Sequence, residues 1–282
     1  MNFDFLTGHE SFYPREGWLT KGITALKDNP AIFHSANLID AIDELGIGAN
    51  MVKSLRYWLL YFGIAMTSER GQRLQLSQFG KVILEKDLFI QHRSTLWLLH
   101  ANSIANAPLW DICCKNSEMH SYSKDYLLQK LESLVKTEGD KIYSTKTCAS
   151  YIEVFVSTYV RMPSLDVEGN LQSPLSRLKL LSYNSKDVSF RTINAEEINP
   201  LMIFYILFCK STHEKGIDLE SAYNECRSLA RMDLTSFRSW LRVLERTSFI
   251  SIDRAAGLNM IYALKKFSVE DMVNELLRVD NE

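Results

Sequence analysis

The stretch Leu38-Ile39-Asp40-Ala41-Ile42-Asp43-Glu44-Leu45-Gly46-Ile47-Gly48-Ala49-Asn50-Met51-Val52-Lys53-Ser54-Leu55-Arg56-Tyr57-Trp58-Leu59-Leu60-Tyr61-Phe62 decides the fold. Apolar residues at 38, 39, 42 and 45 share one face of a helix. Gly46-Ile47-Gly48 breaks it, because a tight turn between crossing helices needs backbone that tolerates positive φ. A second helix opens at Ala49 or Asn50 and runs to about Phe62, with Met51, Val52, Leu55, Trp58, Leu59 and Phe62 as its apolar face. Its other face carries Asn50, Lys53, Ser54, Arg56 and Tyr57, side chains that bond phosphates and base edges. Ile64-Ala65-Met66 and Leu74-Gln75-Leu76 then flank a polar, basic tip that contains Arg70 and Arg73. The pattern is a helix-turn-helix followed by a wing, and it points at DNA.

Composition sets the frame for that reading. A chain of 282 residues is long enough for two or three domains, and 46% hydrophobic content supports a substantial core. The net charge of −2 is not that of a non-specific DNA binder, so any DNA contact must come from local patches. Residues 49–81 supply one, with Lys53, Arg56, Arg70, Arg73 and Lys81 against Glu69 alone. The five cysteines (113, 114, 148, 209 and 226) have no metal-knuckle spacing, and their odd number argues against a disulfide framework. A reducing cytoplasm is the expected location. The N-terminus does not read as a signal peptide, and the most apolar segment, Leu201 to Cys209, is too short to span a bilayer.

The expected fold is mainly α: two winged-helix domains with small β-hairpin wings, joined by a helical middle segment. The boundaries read as 1–90 for an N-terminal arm and winged helix and 91–162 for the helical middle. A loop-rich connector covers 163–198, and a C-terminal winged helix covers 199–282. In the last of these, Asp218 and Asp233 are candidate N-caps. Leu234, Phe237, Leu241 and Leu244 line one face of a helix whose other side carries Arg238, Arg242 and Arg246. Two strands, Phe249 to Ile252 and Met260 to Leu264, flank a tip that holds Arg254. Arg238, Arg242 and Arg254 are candidate DNA contacts, with a dimerisation or scaffold role as the alternative for this segment. Phe237, Trp240, Phe249, Met260, Ile261 and Tyr262 look like more apolar surface than a small domain needs, so a homodimer is expected.

The segment Gly8 to Lys21 concentrates reactive side chains. His9 could move a proton, Glu10 could orient it or hold a divalent ion such as Mg or Mn, and Arg15 could clamp a phosphate. Lys21 adds a further DNA-binding cation. On this reading the three catalytic candidates converge on one groove beside the first recognition helix. The structural alternative is that His9 and Glu10 tie down the arm while Arg15 pairs at the surface with Glu16. No P-loop, GxSxG, HExxH or dinucleotide fingerprint occurs. His100, on an apolar helix, reads as a core residue, and Trp58, Trp97 and Trp240 read as packing. Cys113-Cys114 near His120 makes a poor metal site, since vicinal cysteines rarely both ligate one ion.

Four segments carry a family resemblance. They are Gly8-His9-Glu10-x-Phe12 with Arg15-x-Gly17-Trp18-Leu19-x-Lys21, and Leu45-Gly46-Ile47-Gly48-x-Asn50-Met51-Val52 with Leu55-Arg56-Tyr57-Trp58. Thr95-Leu96-Trp97-Leu98-Leu99-His100 is the third, and Ser173-Pro174-Leu175 with Leu178 the fourth. Together they resemble a bacterial family of formerly unknown function found in DNA phosphorothioation and phage-defence clusters, whose best-described branch is SspB-like. The resemblance implies a DNA-binding subunit that nicks one strand of duplex DNA so that sulfur can replace a phosphate oxygen. It also implies partners: a sulfur-inserting enzyme like a PAPS reductase, and an ATPase. Ala49 stands where that family commonly has a basic residue, so one phosphate contact is not carried over. Two alternatives stand beside the nickase: a non-catalytic DNA-binding adaptor that recruits the sulfur-insertion partners, and a winged-helix transcription regulator.

Overall fold

The computed structural model describes residues 4–68, 73–115, 119–138, 141–161, 172–184, 186–211, 213–229, 231–255 and 259–280. Arg70, the first wing tip and residues 256–258 of the second lie outside them. The described chain is mainly helical with small antiparallel sheets.

The N-terminal third runs α1 (Trp18–Asp28), α2 (Leu38–Leu45), α3 (Ala49–Tyr61), β1 (Ala65–Thr67), β2 (Leu74–Leu76) and α4 (Gln78–Lys86). Gly46 ends α2 in the left-handed region at φ 62°, where the turn to α3 demands it. Strands β1 and β2 pair antiparallel, Ala65 opposite Leu76 and Thr67 opposite Leu74. Ser77 caps α4 by accepting from the Gly80 amide at 3.0 Å, and its hydroxyl donates to the Gly63 carbonyl at 2.6 Å. That one side chain fixes the angle between strand and helix.

The middle contains α5 (Arg93–Ser103), α6 (Pro108–Lys115), β3 (Ser121–Ser123), α7 (Lys124–Glu138) and α8 (Thr145–Tyr159). The connector supplies β4 (Leu181–Tyr183) and β5 (Asp187–Phe190), and these pair with β3 in the order β3-β5-β4. It is therefore hydrogen-bonded into the middle segment. The remainder runs α9 (Leu201–Phe204), a π-helix over Tyr205–Lys210, β6 (Ile217–Asp218), α10 (Leu219–Cys226) and α11 (Leu234–Arg246). Strands β7 (Ile250–Asp253) and β8 (Met260–Ala263) and helix α12 (Val269–Val279) complete it. Asp218 and Asp233 cap α10 and α11 as expected.

Helix α12 is not among the expected elements, although Ser268 and Asp271 form a reciprocal capping box and Met272, Val273, Leu276 and Leu277 are buried at helical spacing. It packs on α4, α5 and α9, so the end of the chain lies against its first third. Just beyond α12, the Asp280 carboxylate accepts from the Ser94 amide at 2.6 Å and the Ser94 hydroxyl at 2.9 Å, capping α5 from a distance in sequence. Phe237, Trp240, Phe249 and Ile261 are buried within the chain. Of the six residues behind the dimer expectation these four pack internally, while Met260 is half-buried and Tyr262 is exposed.

His100 is the buried hub of the middle. Its Nε2 faces the Leu229 carbonyl and so carries the proton, while Nδ1 accepts from the Tyr159 hydroxyl at 2.9 Å. It is a satisfied core histidine, as expected. Burial drives its pKa from 6.5 down to about 4. Between those values the unfolded chain takes up a proton that the folded chain refuses, so His100 lowers stability as the pH falls through that window. For an isolated site the effect approaches about 3 kcal/mol. Thermal melts of the wild type and of His100→Asn between pH 6.5 and 4 should show a flatter pH dependence in the variant; parallel curves would contradict the assignment.

Candidate nucleic-acid interface

Helix α3 is held from three directions. Val52, Leu55, Leu59 and Phe62 enter the core, and α1 and α2 pack against the helix. The third contact is the N-terminal arm. The Trp58 indole donates to the Phe12 carbonyl at 3.0 Å, the Tyr57 hydroxyl to the Phe5 carbonyl at 2.9 Å and the Ser54 hydroxyl to the Phe12 carbonyl at 3.4 Å. Gly8 lies so close to α3 that a Cβ there would meet Tyr57 Cδ2 at 2.5 Å. Ser54, expected on the outward face, is therefore fully buried. The arm takes that side of α3 and leaves the Asn50, Lys53 and Arg56 side open.

The open side forms a groove of about 500 Å³, lined by the arm (Phe5, Gly8, Glu10), by α3 (Lys53, Arg56, Tyr57, Leu60, Tyr61) and by Asn106. A second depression, of about 420 Å³, lies on the other flank of Lys53 and Arg56 and is lined by Ile32, Phe33, His34, Ser35, Leu38 and Val52. The two cations thus form a ridge between two hollows. Among the described residues, the Lys53 ammonium bonds only the Asn50 side chain, at 3.4 Å, and Arg56 makes no hydrogen bond or ion pair. No side chain caps the N-terminus of α3 at Gly48, so its first-turn amides add to the positive field on this face. Exposed Arg73 immediately precedes β2, its amide bonded to the Ser68 hydroxyl.

The three catalytic candidates are not brought together. Glu10 is exposed and lines the groove. His9 is only 2% exposed: Nδ1 accepts from the Ser11 amide at 3.0 Å, and the ring stands between Tyr57 and Tyr151. Its Nε2 has no hydrogen-bond partner among the described residues, and the residue lines a cavity the size of about one water together with Tyr61 and Tyr159. Burial lowers its pKa, so the ring is neutral at pH 7. Arg15 lies over the rings of Phe12, Tyr13 and Trp18, with guanidinium-to-centroid distances of 5.4–6.0 Å. His9 and Arg15 therefore hold the arm in place, which corrects the expectation of a shared catalytic groove. Lys21 is also placed structurally, donating to the Leu45 carbonyl at the end of α2 at 2.9 Å.

Around α11, Arg238 and Arg242 are exposed. Arg254 forms a bidentate pair with Glu245, both distances 2.9 Å, so much of its charge is answered within the chain. Cys113 and Cys114 are buried thiols, that of Cys114 pushed up to about 12 by burial, which suits packing and not metal binding. Among the described residues no three His, Cys, Asp or Glu side chains cluster as a metal site requires. A divalent ion held by protein groups alone does not fit them.

Tyr61 and Asn106 are groove residues outside the set expected from the sequence. Tyr61 was within reach: positions 53, 57 and 61 follow the i, i+4 rule and share one stripe of α3. Asn106 arrives through tertiary packing and leaves no local signal.

The family follows from the whole chain. Residues 6–277 match the model described as "Protein of unknown function (DUF4007)". The chain belongs to that family. Two solved structures are similar to it, one of SspB and one of SspB with a magnesium ion bound. Each aligns with a TM-score of 0.79 at 20% identity, over 99% of this chain and 88% of the other. The fold of this DUF4007 chain is therefore SspB-like, as the sequence resemblance implies. No curated protein matches it.

If the arm fixes the groove, Gly8→Ala should loosen it. The added methyl group overpacks Tyr57, a class of change costing about 1–3 kcal/mol. Limited proteolysis should cleave within residues 5–16 several-fold faster in the variant than in the wild type. Equal rates would mean that the arm is held by other contacts.

Proposed function

We propose that this chain is a DNA-binding adaptor subunit of a phosphorothioation-type defence system. It would engage duplex DNA through the α3 face and recruit the sulfur-inserting and ATPase partners that the family resemblance implies. In this reading α1 to β2 and β6 to β8 act as winged helices. The observation that carries it is the pair Lys53 and Arg56, exposed or half-buried, unneutralised and flanked by two hollows on the outer face of a helix that follows a tight turn. Two such cations suit successive phosphates, and in this reading Asn50 would reach a base edge. Arg73 extends the positive surface towards the wing. With a net charge of −2 on the chain, binding would depend on this patch and not on the overall field.

Strand nicking is the second reading, and it is supported by one feature, the Glu10 carboxylate open in the same groove as Lys53 and Arg56. Burial of His9 removes the proton-transfer group that the arm would have contributed. The adaptor reading therefore leads.

Fluorescence anisotropy with a duplex oligonucleotide across a salt series tests the binding claim. Each phosphate that the protein ceases to neutralise should take about 0.9 from the log–log salt slope, so Lys53→Ala with Arg56→Ala should lower it by roughly 1.8. An unchanged slope would place the DNA surface elsewhere. Supercoiled plasmid with Mg²⁺ or Mn²⁺ separates the two readings. The adaptor leaves it supercoiled, whereas relaxation that disappears in Glu10→Ala would establish the nickase and overturn the adaptor.

A further inference from the structure

A second basic hollow lies at the C-terminal end of α8, apart from the α3 groove. It has a volume of about 520 Å³ and is lined by Arg161, Arg177, Lys179, Gln172, Ser176 and Glu16, with Tyr159 and Leu181 as further lining. Three cations and two neutral polar side chains thus face one space with a single carboxylate among them.

The three cations differ in what holds them. Arg177 is built into the structure: its guanidinium donates to the Ile90 and Pro174 carbonyls and lies 3.4 Å from Glu16. Arg161 and Lys179 are exposed and make no side-chain hydrogen bond or ion pair among the described residues. The Lys179 backbone is nevertheless fixed. It stands in the left-handed region at φ 53°, an unfavourable conformation for a lysine, and its carbonyl accepts from Arg191 Nε at 2.9 Å. The short helix Pro174–Leu178 that precedes it is capped by Ser173 and packs on α5 and α8. The backbone beneath Lys179 is thus held firmly, with the Arg177 guanidinium anchored beside it.

We propose that this hollow is a phosphate-binding site. Two cations with no partner among the described residues and one fixed guanidinium match the charge of a phosphate group, and the volume admits a phosphorylated ligand larger than the bare ion. The shared chemistry is the phosphoryl group, whether it belongs to a DNA backbone or to a free phosphorylated small molecule. The site does not depend on the α3 reading.

The test uses the full chain carrying Lys53→Ala and Arg56→Ala, which silences the α3 ridge. Calorimetric titration with inorganic phosphate at low ionic strength should show saturable binding at one site. Adding Arg161→Ala and Lys179→Ala should weaken it at least tenfold, with an unchanged thermal melt because both side chains are exposed. A short duplex that displaces the phosphate would identify a DNA backbone as the natural source; a duplex that does not would identify a free phosphorylated ligand. No saturable phosphate binding, or an affinity unmoved by Arg161→Ala with Lys179→Ala, would overturn the proposal.

Discussion

The docking of the N-terminal arm on α3 is the contact on which the rest of the structure depends. A recognition-type helix with one apolar face has most of its remaining circumference free. Here the arm removes part of that freedom through the Phe5 and Phe12 carbonyls, which accept from Tyr57, Trp58 and Ser54. His9 is inserted between Tyr57 and Tyr151, linking the arm to α8 as well as α3. Burying the imidazole costs less because it is neutral there and Nδ1 is satisfied by the Ser11 amide, although Nε2 is left without a hydrogen-bond partner among the described residues. What remains open on α3 is the strip carrying Asn50, Lys53 and Arg56, with Glu10 across the groove.

Contacts of the same kind join the ends of the chain. Helix α12 packs on α4, and Asp280 caps α5 through Ser94. His100 ties α5 to α8 through Tyr159 and to the segment after α10 through Leu229. Arg231 is buried and donates to the Cys113 and Met119 carbonyls, fastening that segment to the end of α6. Hydrogen bonds to buried carbonyls, more than surface ion pairs, hold these elements in register, and such bonds are costly to leave half made.

Periodicity made the helix-turn-helix elements legible. Gly46 at positive φ and apolar residues at spacings of three and four leave few alternatives for α2 and α3. The Asp218 and Asp233 caps were readable for the same local reason. The strands β3 to β5 were harder, because each is short and β3 finds its partner, β5, at a distant position in the chain. In the site, Lys53 and Arg56 were visible as cations on an outward face. The fate of His9, Arg15 and Lys21 was not, since reactive residue types close in sequence say nothing about which of them the tertiary fold turns inward. Arg15 met aromatic rings, Lys21 a helix end and His9 the core. Within that run His9 and Arg15 clasp the arm, while Glu10 stays exposed in the groove.

DNA, on this view, is met by the face of α3 that the arm leaves open. Hydrogen–deuterium exchange of the full chain, with and without saturating duplex DNA, tests that claim directly. New protection is expected in residues 5–10 and 49–61, with little change in α7. Protection confined to α10, α11 or the middle segment, with residues 49–61 unchanged, would contradict it.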